Sequence, residues 1–187
     1  KGEEKMKRTI VLFFIFTLMM VAFEAEAQII VYRGKLLNPD RTGPMVINVT
    51  DQIGRALQTT TEVIGGGLAH IDLSVDQSTE GPTSIDVYDK NGIHFMSCND
   101  LQMVSTEVYS KPPSYSDTFK IVALCTFTPD GELGPTGTGY LTLNGTTFHI
   151  YGQPEPAKMT VTGSSGGGVN GSFVFKGSFG SVLKPVN

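Results

Sequence analysis

From residue 28 onward the chain is a series of short runs in which apolar and polar residues alternate, separated by Gly, Pro, Asn and Asp. In the clearest run, Ala69 to Val75, every second residue is apolar, and the residues between them are His70, Asp72 and Ser74. A period of two is typical of a strand with one buried face, and the period of a helix is nearly absent after residue 27. The alternation therefore predicts an all-β protein.

The other candidate strands have the same character and are bounded by turn residues. They are Ile29 to Leu37, Met45 to Thr50, Gln58 to Ile64, Ser84 to Tyr88, Ile93 to Cys98, Met103 to Tyr109, Phe119 to Phe127, Gly139 to Leu143, Thr146 to Tyr151, Met159 to Thr162 and Ser172 to Lys176. So many strands are too many for one flat sheet. We expect a single-domain antiparallel β-sandwich of Ig-like or related topology, with a closed β-barrel as the second choice.

An apolar segment precedes these strands. Residues 6–27 combine the basic pair Lys7 and Arg8, a 14-residue apolar run that only Thr17 interrupts, and the small-residue exit Ala25-Glu26-Ala27. This pattern predicts a cleaved secretory signal peptide, because spanning a bilayer takes about 20 apolar residues. A retained membrane helix is the weaker alternative. We expect residues 1–5 to be upstream sequence, 28–187 to form a single β domain, and the mature protein to be secreted.

Cys98 and Cys125 are the two cysteines of the chain, and export makes a disulfide between them the expected state. Cys125 falls on the apolar face of the strand Phe119 to Phe127. Cys98 faces the core if the preceding hairpin closes with a two-residue turn at Asn91-Gly92, whereas a three-residue loop would turn it outward. The disulfide therefore favours the two-residue turn, and two free buried thiols are the alternative.

A second hairpin is predicted at Asn144-Gly145, since both residues tolerate the positive φ of a type I′ turn. Its polar face would present aromatic rings and hydroxyl groups, which can stack on and hydrogen-bond to a sugar. We consider this face a candidate carbohydrate-binding platform, and an ordinary outer face rich in Thr and Tyr is the alternative. Its residues are Tyr140, Thr142, Thr147, His149 and Tyr151.

The composition argues against several classes of function. Residues 28–187 carry 10 Lys and Arg against 14 Asp and Glu without any basic run, so we expect neither nucleic-acid nor membrane binding after signal cleavage. His70, His94 and His149 lack the spacing of metal ligands. The segment Gly163 to Gly167 fits G-x-S-x-G, but no helical pattern and no later His follow it, so the Gly-rich stretch 163–168 is interpreted as a flexible link. No catalytic residue, metal site or cofactor is predicted.

Three Asn-x-Ser/Thr triplets begin at Asn48, Asn144 and Asn170 and are glycosylation candidates in a eukaryotic host. The favoured function is a non-enzymatic, extracellular structural or interaction protein that associates with itself or with other extracellular proteins through edge strands. The apolar segment Gln28 to Leu37 is the first candidate edge. A carbohydrate-binding or defence-type lectin module is the alternative, and an enzyme or lipophilic-ligand-binding barrel is the third hypothesis.

Overall fold

The computed structural model describes residues 28–56, 68–79, 81–128, 136–153, 155–170 and 173–186, with the backbone alone for 105–109. These residues form antiparallel strands, so the predicted all-β class is confirmed. No helix in this part of the chain is long and apolar enough to cross a membrane. The strands are β1 (Ile29–Lys35), β2 (Val46–Thr50), β3 (Leu68–Asp76), β4 (Gly81–Asp89), β5 (His94–Lys111), β6 (Ser114–Phe127), β7 (Gly137–Ile150), β8 (Lys158–Val169) and β9 (Phe173–Pro185).

Two predicted elements lie outside the described residues. These are the signal peptide at 6–27 and the strand Gln58 to Ile64. Where two short predicted strands follow each other closely, the structure has one long strand. Ile93 to Cys98 and Met103 to Tyr109 belong to β5, and the two predicted arms of the second hairpin both belong to β7.

The sheet closes on itself, and the predicted two-sheet Ig-like sandwich is therefore wrong. The strands are ordered β1-β3-β4-β5-β6-β7-β8-β9, and β9 returns to β1 through the pairs Tyr32 with Pro185 and Arg33 with Lys184. The result is a closed barrel of eight antiparallel strands, which was the second choice. Alternation could not separate the two architectures, because each strand turns one face to the core in both.

β2 extends the line of β1 along the same edge of β9. After β1, Leu37 bridges to Gly180, and β2 then pairs with the first half of β9. β1 and β2 thus run in the same direction as two parts of one strand interrupted by residues 38–44. β1 also pairs with β3 along its whole length. The N-terminal segment proposed as a free edge is therefore paired within its own barrel.

One end of the barrel is filled by phenylalanine side chains. Phe127 lies at the end of β6, with its ring centroid 5.0 Å from that of Phe175 and 5.6 Å from that of Phe95. Phe173 packs on the same ring at 6.4 Å. All four side chains are buried. These rings close the end at which β5 and β9 begin.

The predicted disulfide is confirmed between Cys98 on β5 and Cys125 on β6, which lie directly opposite each other with their Cα atoms 4.2 Å apart. The register of β4 and β5 is also the predicted one, since Ile85 pairs with Cys98 and Val87 with Met96. The predicted two-residue turn is wrong, because the ladder shifts after Val87 so that Tyr88 pairs with His94, and Asp89 N–H donates to Ile93 O across a three-residue loop. Both cysteines face the core, as the alternation of β6 indicated.

The predicted hairpin at Asn144-Gly145 is wrong. β7 continues through these residues and pairs with β6 on one side and β8 on the other. An ideal Cβ on Gly145 would lie 2.3 Å from Cζ of Phe119, so the ring occupies the space where a side chain would be. Glycine is needed here because the Phe119 ring of the neighbouring strand β6 covers the backbone, and not because the chain turns.

The glycine-rich stretch 163–168 is likewise part of β8 and not a flexible link. A Cβ on Gly163 would lie 2.7 Å from the Phe179 ring, and one on Gly167 would lie 2.8 Å from the Phe127 ring. Ser165 is buried and donates a hydrogen bond to the backbone oxygen of Tyr140 at 3.1 Å. The glycines therefore make room for the large aromatic side chains of the barrel interior.

Candidate functional site

The end of the barrel opposite the four phenylalanines contains a cavity of about 630 Å³. Its deeper wall is apolar, and its outer part is polar. Buried side chains that line it include Tyr32, Leu73, Phe119, Ile121 and Met159. The polar residues toward the entrance are Gln28, Gln77, Tyr115, Asp117, Thr147, His149 and Glu155. The volume lies within the range of about 300 to 1,000 Å³ that is usual for small-molecule sites.

The wall of the barrel opens beside this cavity. The ladder between β4 and β5 covers Ile85–Tyr88 of β4, whereas β5 shifts register after Cys98 and continues with β6 alone. Pro82, near the start of β4, has no backbone N–H to donate to a ladder. Pro82 and Met103 line the cavity from the two sides of this opening.

Asp117 and His149 are close together among the polar residues that line the cavity. Asp117 on β6 pairs with Thr147, and His149 on β7 pairs with Tyr115, two positions further along the same two strands. Asp117 and His149 both point inward because they continue the core-facing alternation of their strands. His149 Nε2 lies 3.3 Å from Asp117 Oδ2 and 3.0 Å from Thr147 Oγ1. The His149 side chain is 12% exposed and that of Asp117 27%, so the pair lies largely within the barrel.

The neighbours of His149 Nε2 indicate that this nitrogen donates. An ionised carboxylate can only accept, and the Thr147 hydroxyl already donates to the backbone oxygen of Asp117, so both are acceptors for Nε2–H. Tyr115 stacks on the imidazole with ring centroids 4.3 Å apart and holds its orientation. Within the described side chains, Asp117 Oδ1 and His149 Nδ1 are buried polar atoms without a hydrogen-bond partner. Such atoms are costly in a folded protein, and they commonly mark functional sites.

A second carboxylate, Glu155, reaches the cavity from the loop between β7 and β8. It accepts a hydrogen bond from the side-chain amide of Gln77, which follows β3. Burial and then the negative charge of Glu155 raise the pKa of Tyr32 to about 12. The Tyr32 phenol is thus harder to ionise in the folded protein than a free tyrosine.

The five residues of the proposed sugar-binding face are not on one face of the structure. Thr147 and His149 face the interior of the barrel, whereas Tyr140 and Thr142 lie on the outer surface, because β7 is one strand and not a hairpin. Tyr151 follows β7 and is exposed, and its hydroxyl lies 2.7 Å from Ser110 Oγ. His149 and Thr147 thus belong to the cavity, and sugar binding at the outer tyrosines remains a prediction.

The three candidate glycosylation residues are all exposed. Asn48 points outward from β2, Asn144 points outward from the middle of β7, and Asn170 follows β8. Asn144 also borders a shallow outer groove that includes Lys120 and Thr162. Among the described residues, no group of three or more His, Cys, Asp or Glu side chains is placed to hold a metal ion.

A separate polar cluster lies on the outside of the barrel. Arg33 donates two hydrogen bonds to Asp72, at 2.8 and 2.7 Å, and these bonds raise the pKa of Arg33. His70 stacks on Tyr88 with ring centroids 4.7 Å apart, and burial lowers the pKa of His70. This cluster covers the backbone of β3 and explains why Asp72, on the outward face, is 5% exposed.

His149 was among the site residues predicted from the sequence, whereas Tyr115, Asp117 and Glu155 were not. A signal for Asp117 was present, because it lies two residues before Phe119 and so continues the core-facing positions of β6. A carboxylate at a core-facing position is a candidate functional group. Glu155 had no such signal, since only the fold brings its loop to the cavity.

No family model, curated protein or solved structure matches this chain.

Proposed function

We propose that this protein binds a small organic ligand in the open end of its barrel. The apolar part of the ligand would lie against Phe119, Ile121 and Met159, and its polar end would reach Asp117 and His149. The observation that carries this proposal is the contrast between the two ends. Phenylalanines fill one end, whereas the other contains a cavity of about 630 Å³ with a partly buried polar pair, Asp117 and His149.

Export remains part of the proposal. The disulfide between Cys98 and Cys125 supports it, because such bonds persist mainly in oxidising compartments. The third functional hypothesis, a barrel for lipophilic ligands, is thus the one that the cavity favours. Self-association through β1 has less support, since β1 is already paired with β3 and β9.

Binding of the neutral fluorophore N-phenylnaphthylamine tests this proposal. We expect saturable binding with one fluorophore per chain. Val75→Trp should fill the cavity and weaken binding about tenfold or more, which corresponds to 1.4 kcal/mol. Val174→Trp is the matched control, because Val174 is exposed on the outer surface of β9 and should leave binding unchanged.

Met103→Trp is a second blocking variant, at the opening of the wall, in case Val75→Trp does not fold. Far-ultraviolet circular dichroism would establish that each variant keeps the strand content of the wild type. Absence of saturable binding to the wild type would refute the proposal. Equal binding by a folded blocking variant and by Val174→Trp would also refute it, since the fluorophore would then bind elsewhere.

A further inference from the structure

The acidic groups of the cavity are not matched by Lys or Arg. Two carboxyl groups, Asp117 and Glu155, line it, and among the described lining residues there is no Lys or Arg. His149 is the one basic side chain among them, and its Nε2 lies 3.3 Å from Asp117 Oδ2. The Gln77 amide that holds Glu155 is neutral and leaves its charge in place.

We propose that the ligand is an organic cation, an amine on an apolar or aromatic body. This inference rests on the proposed function and specifies its ligand class. An ammonium group supplies the N–H donors that carboxylates accept, and charged hydrogen bonds of this kind are stronger than neutral ones. Asp117 Oδ1, which has no partner among the described side chains, is the acceptor that such a group would use.

Aromatic rings at the site favour the same class of ligand. Tyr115 lies beside Asp117 on the core-facing side of β6 and stacks on His149. Cations are attracted to the faces of such rings.

Other head groups fit the cavity less well. A carboxylate or phosphate would meet Asp117 and Glu155, and like charges in a partly desolvated site repel each other. A neutral alcohol could donate one hydrogen bond, but it would leave both negative charges uncompensated. An amine removes this cost because it pairs with a charge that the protein already carries inside the barrel.

Three probes with one body and different head groups test the inference: naphthylethylamine, naphthylethanol and naphthylpropanoate. Titration calorimetry with the wild type should show the amine binding about tenfold or more tightly than the alcohol, as expected for a charged hydrogen bond. The carboxylate should be the weakest ligand. Added salt should weaken binding of the amine and leave that of the alcohol nearly unchanged.

Asp117→Asn keeps the shape of the side chain and removes its charge. It should lower the affinity for the amine about tenfold, to nearly that for the alcohol, while the alcohol binds as before. Glu155→Gln, in the loop, is a second variant that does not change a barrel strand. Asp100→Asn is the matched control, because Asp100 is exposed on β5 and its loss changes the net charge equally.

The outcomes separate this inference from the proposed function. If the alcohol binds as tightly as the amine while N-phenylnaphthylamine still binds, the cation preference is wrong and the binding site stands. If N-phenylnaphthylamine binds and the three naphthyl probes do not, the cation preference is likewise wrong; if N-phenylnaphthylamine does not bind either, the proposed function is wrong. If the amine preference is unchanged in both Asp117→Asn and Glu155→Gln, these carboxylates do not recognise the ligand, and the inference is overturned.

Discussion

Gly145→Ala tests the conclusion that the glycine in the middle of β7 exists to accommodate the Phe119 ring. An ideal Cβ at this position would lie 2.3, 2.6 and 2.9 Å from three atoms of the ring. Real Cβ contacts are longer than this, and the three atoms Cζ, Cε1 and Cε2 are the outer end of a rigid ring that can only move as a whole. The Phe119 side chain, which is 5% exposed and lies in the cavity wall, must therefore move.

Two effects determine how much Gly145→Ala should lower the free energy of unfolding. Overpacking in a core costs about 1 to 3 kcal/mol. Replacing a glycine that already has a compatible backbone conformation by alanine stabilises a protein by roughly 0.4 to 1 kcal/mol, because it reduces the conformational entropy of the unfolded chain. We expect a net loss of about 1 to 2 kcal/mol, which at 2 to 4 °C for each kcal/mol lowers Tm by about 2 to 8 °C. Ligand binding should also weaken, because the displaced ring moves into the cavity.

Urea denaturation and thermal melting measure this loss. Gly81→Ala is the matched control, since a Cβ there meets its nearest neighbour at 3.6 Å. Phe119→Leu combined with Gly145→Ala should cost less than the sum of the two single changes, because the smaller side chain relieves the clash. If Gly145→Ala is as stable as Gly81→Ala, or if the two changes simply add, the reasoning is wrong.

The remaining predictions concern the disulfide and Tyr32. Replacing both Cys98 and Cys125 by Ala should lower the free energy of unfolding by about 3 to 4 kcal/mol, because the 27-residue separation then no longer restricts the unfolded chain. An unchanged urea midpoint would contradict this. Tyr32 should make the wild type lose stability between about pH 10 and pH 12, since the phenol ionises first in the unfolded chain. Tyr32→Phe should reduce that loss and remove the last step of the phenolate absorbance titration, and an identical titration would refute the assignment.

Features that depend on neighbouring residues could be predicted from the sequence. The core-facing positions of β6, Cys125 among them, follow from simple alternation, and the expected disulfide selects the register of β4 and β5 that turns Cys98 inward. Both are local, because consecutive strands pair. Asn144-Gly145 carries the same local turn signal, yet β6 and β8 both pair across it and keep it extended. Tertiary pairing overrides the turn preference of this dipeptide there.

Closure of the barrel and the cavity could not be predicted, because both depend on contacts between distant residues. Tyr32 pairs with Pro185 across almost the whole described chain, and no short sequence window contains that information. The placement of His149 shows the consequence. Since the hairpin assumed at residue 144 reverses which positions share a face, the prediction assigned His149 to the outer surface, although the uninterrupted strand turns it inward.

The pairing of β1 and β2 with β9 has a consequence for biosynthesis. A ribosome makes the chain from its N-terminus, so β1 and β2 emerge before the other described strands, and their shared partner β9 is made after β3 to β8. Strands β3 to β8 each pair with a neighbour in sequence and can assemble as the nascent chain lengthens. The edges of β1 and β2 that face β9 stay unpaired until β9 is made, so a nascent chain that stops before β9 would expose strand edges that can pair with other chains. Synthesis of β9 is thus the step that closes this barrel.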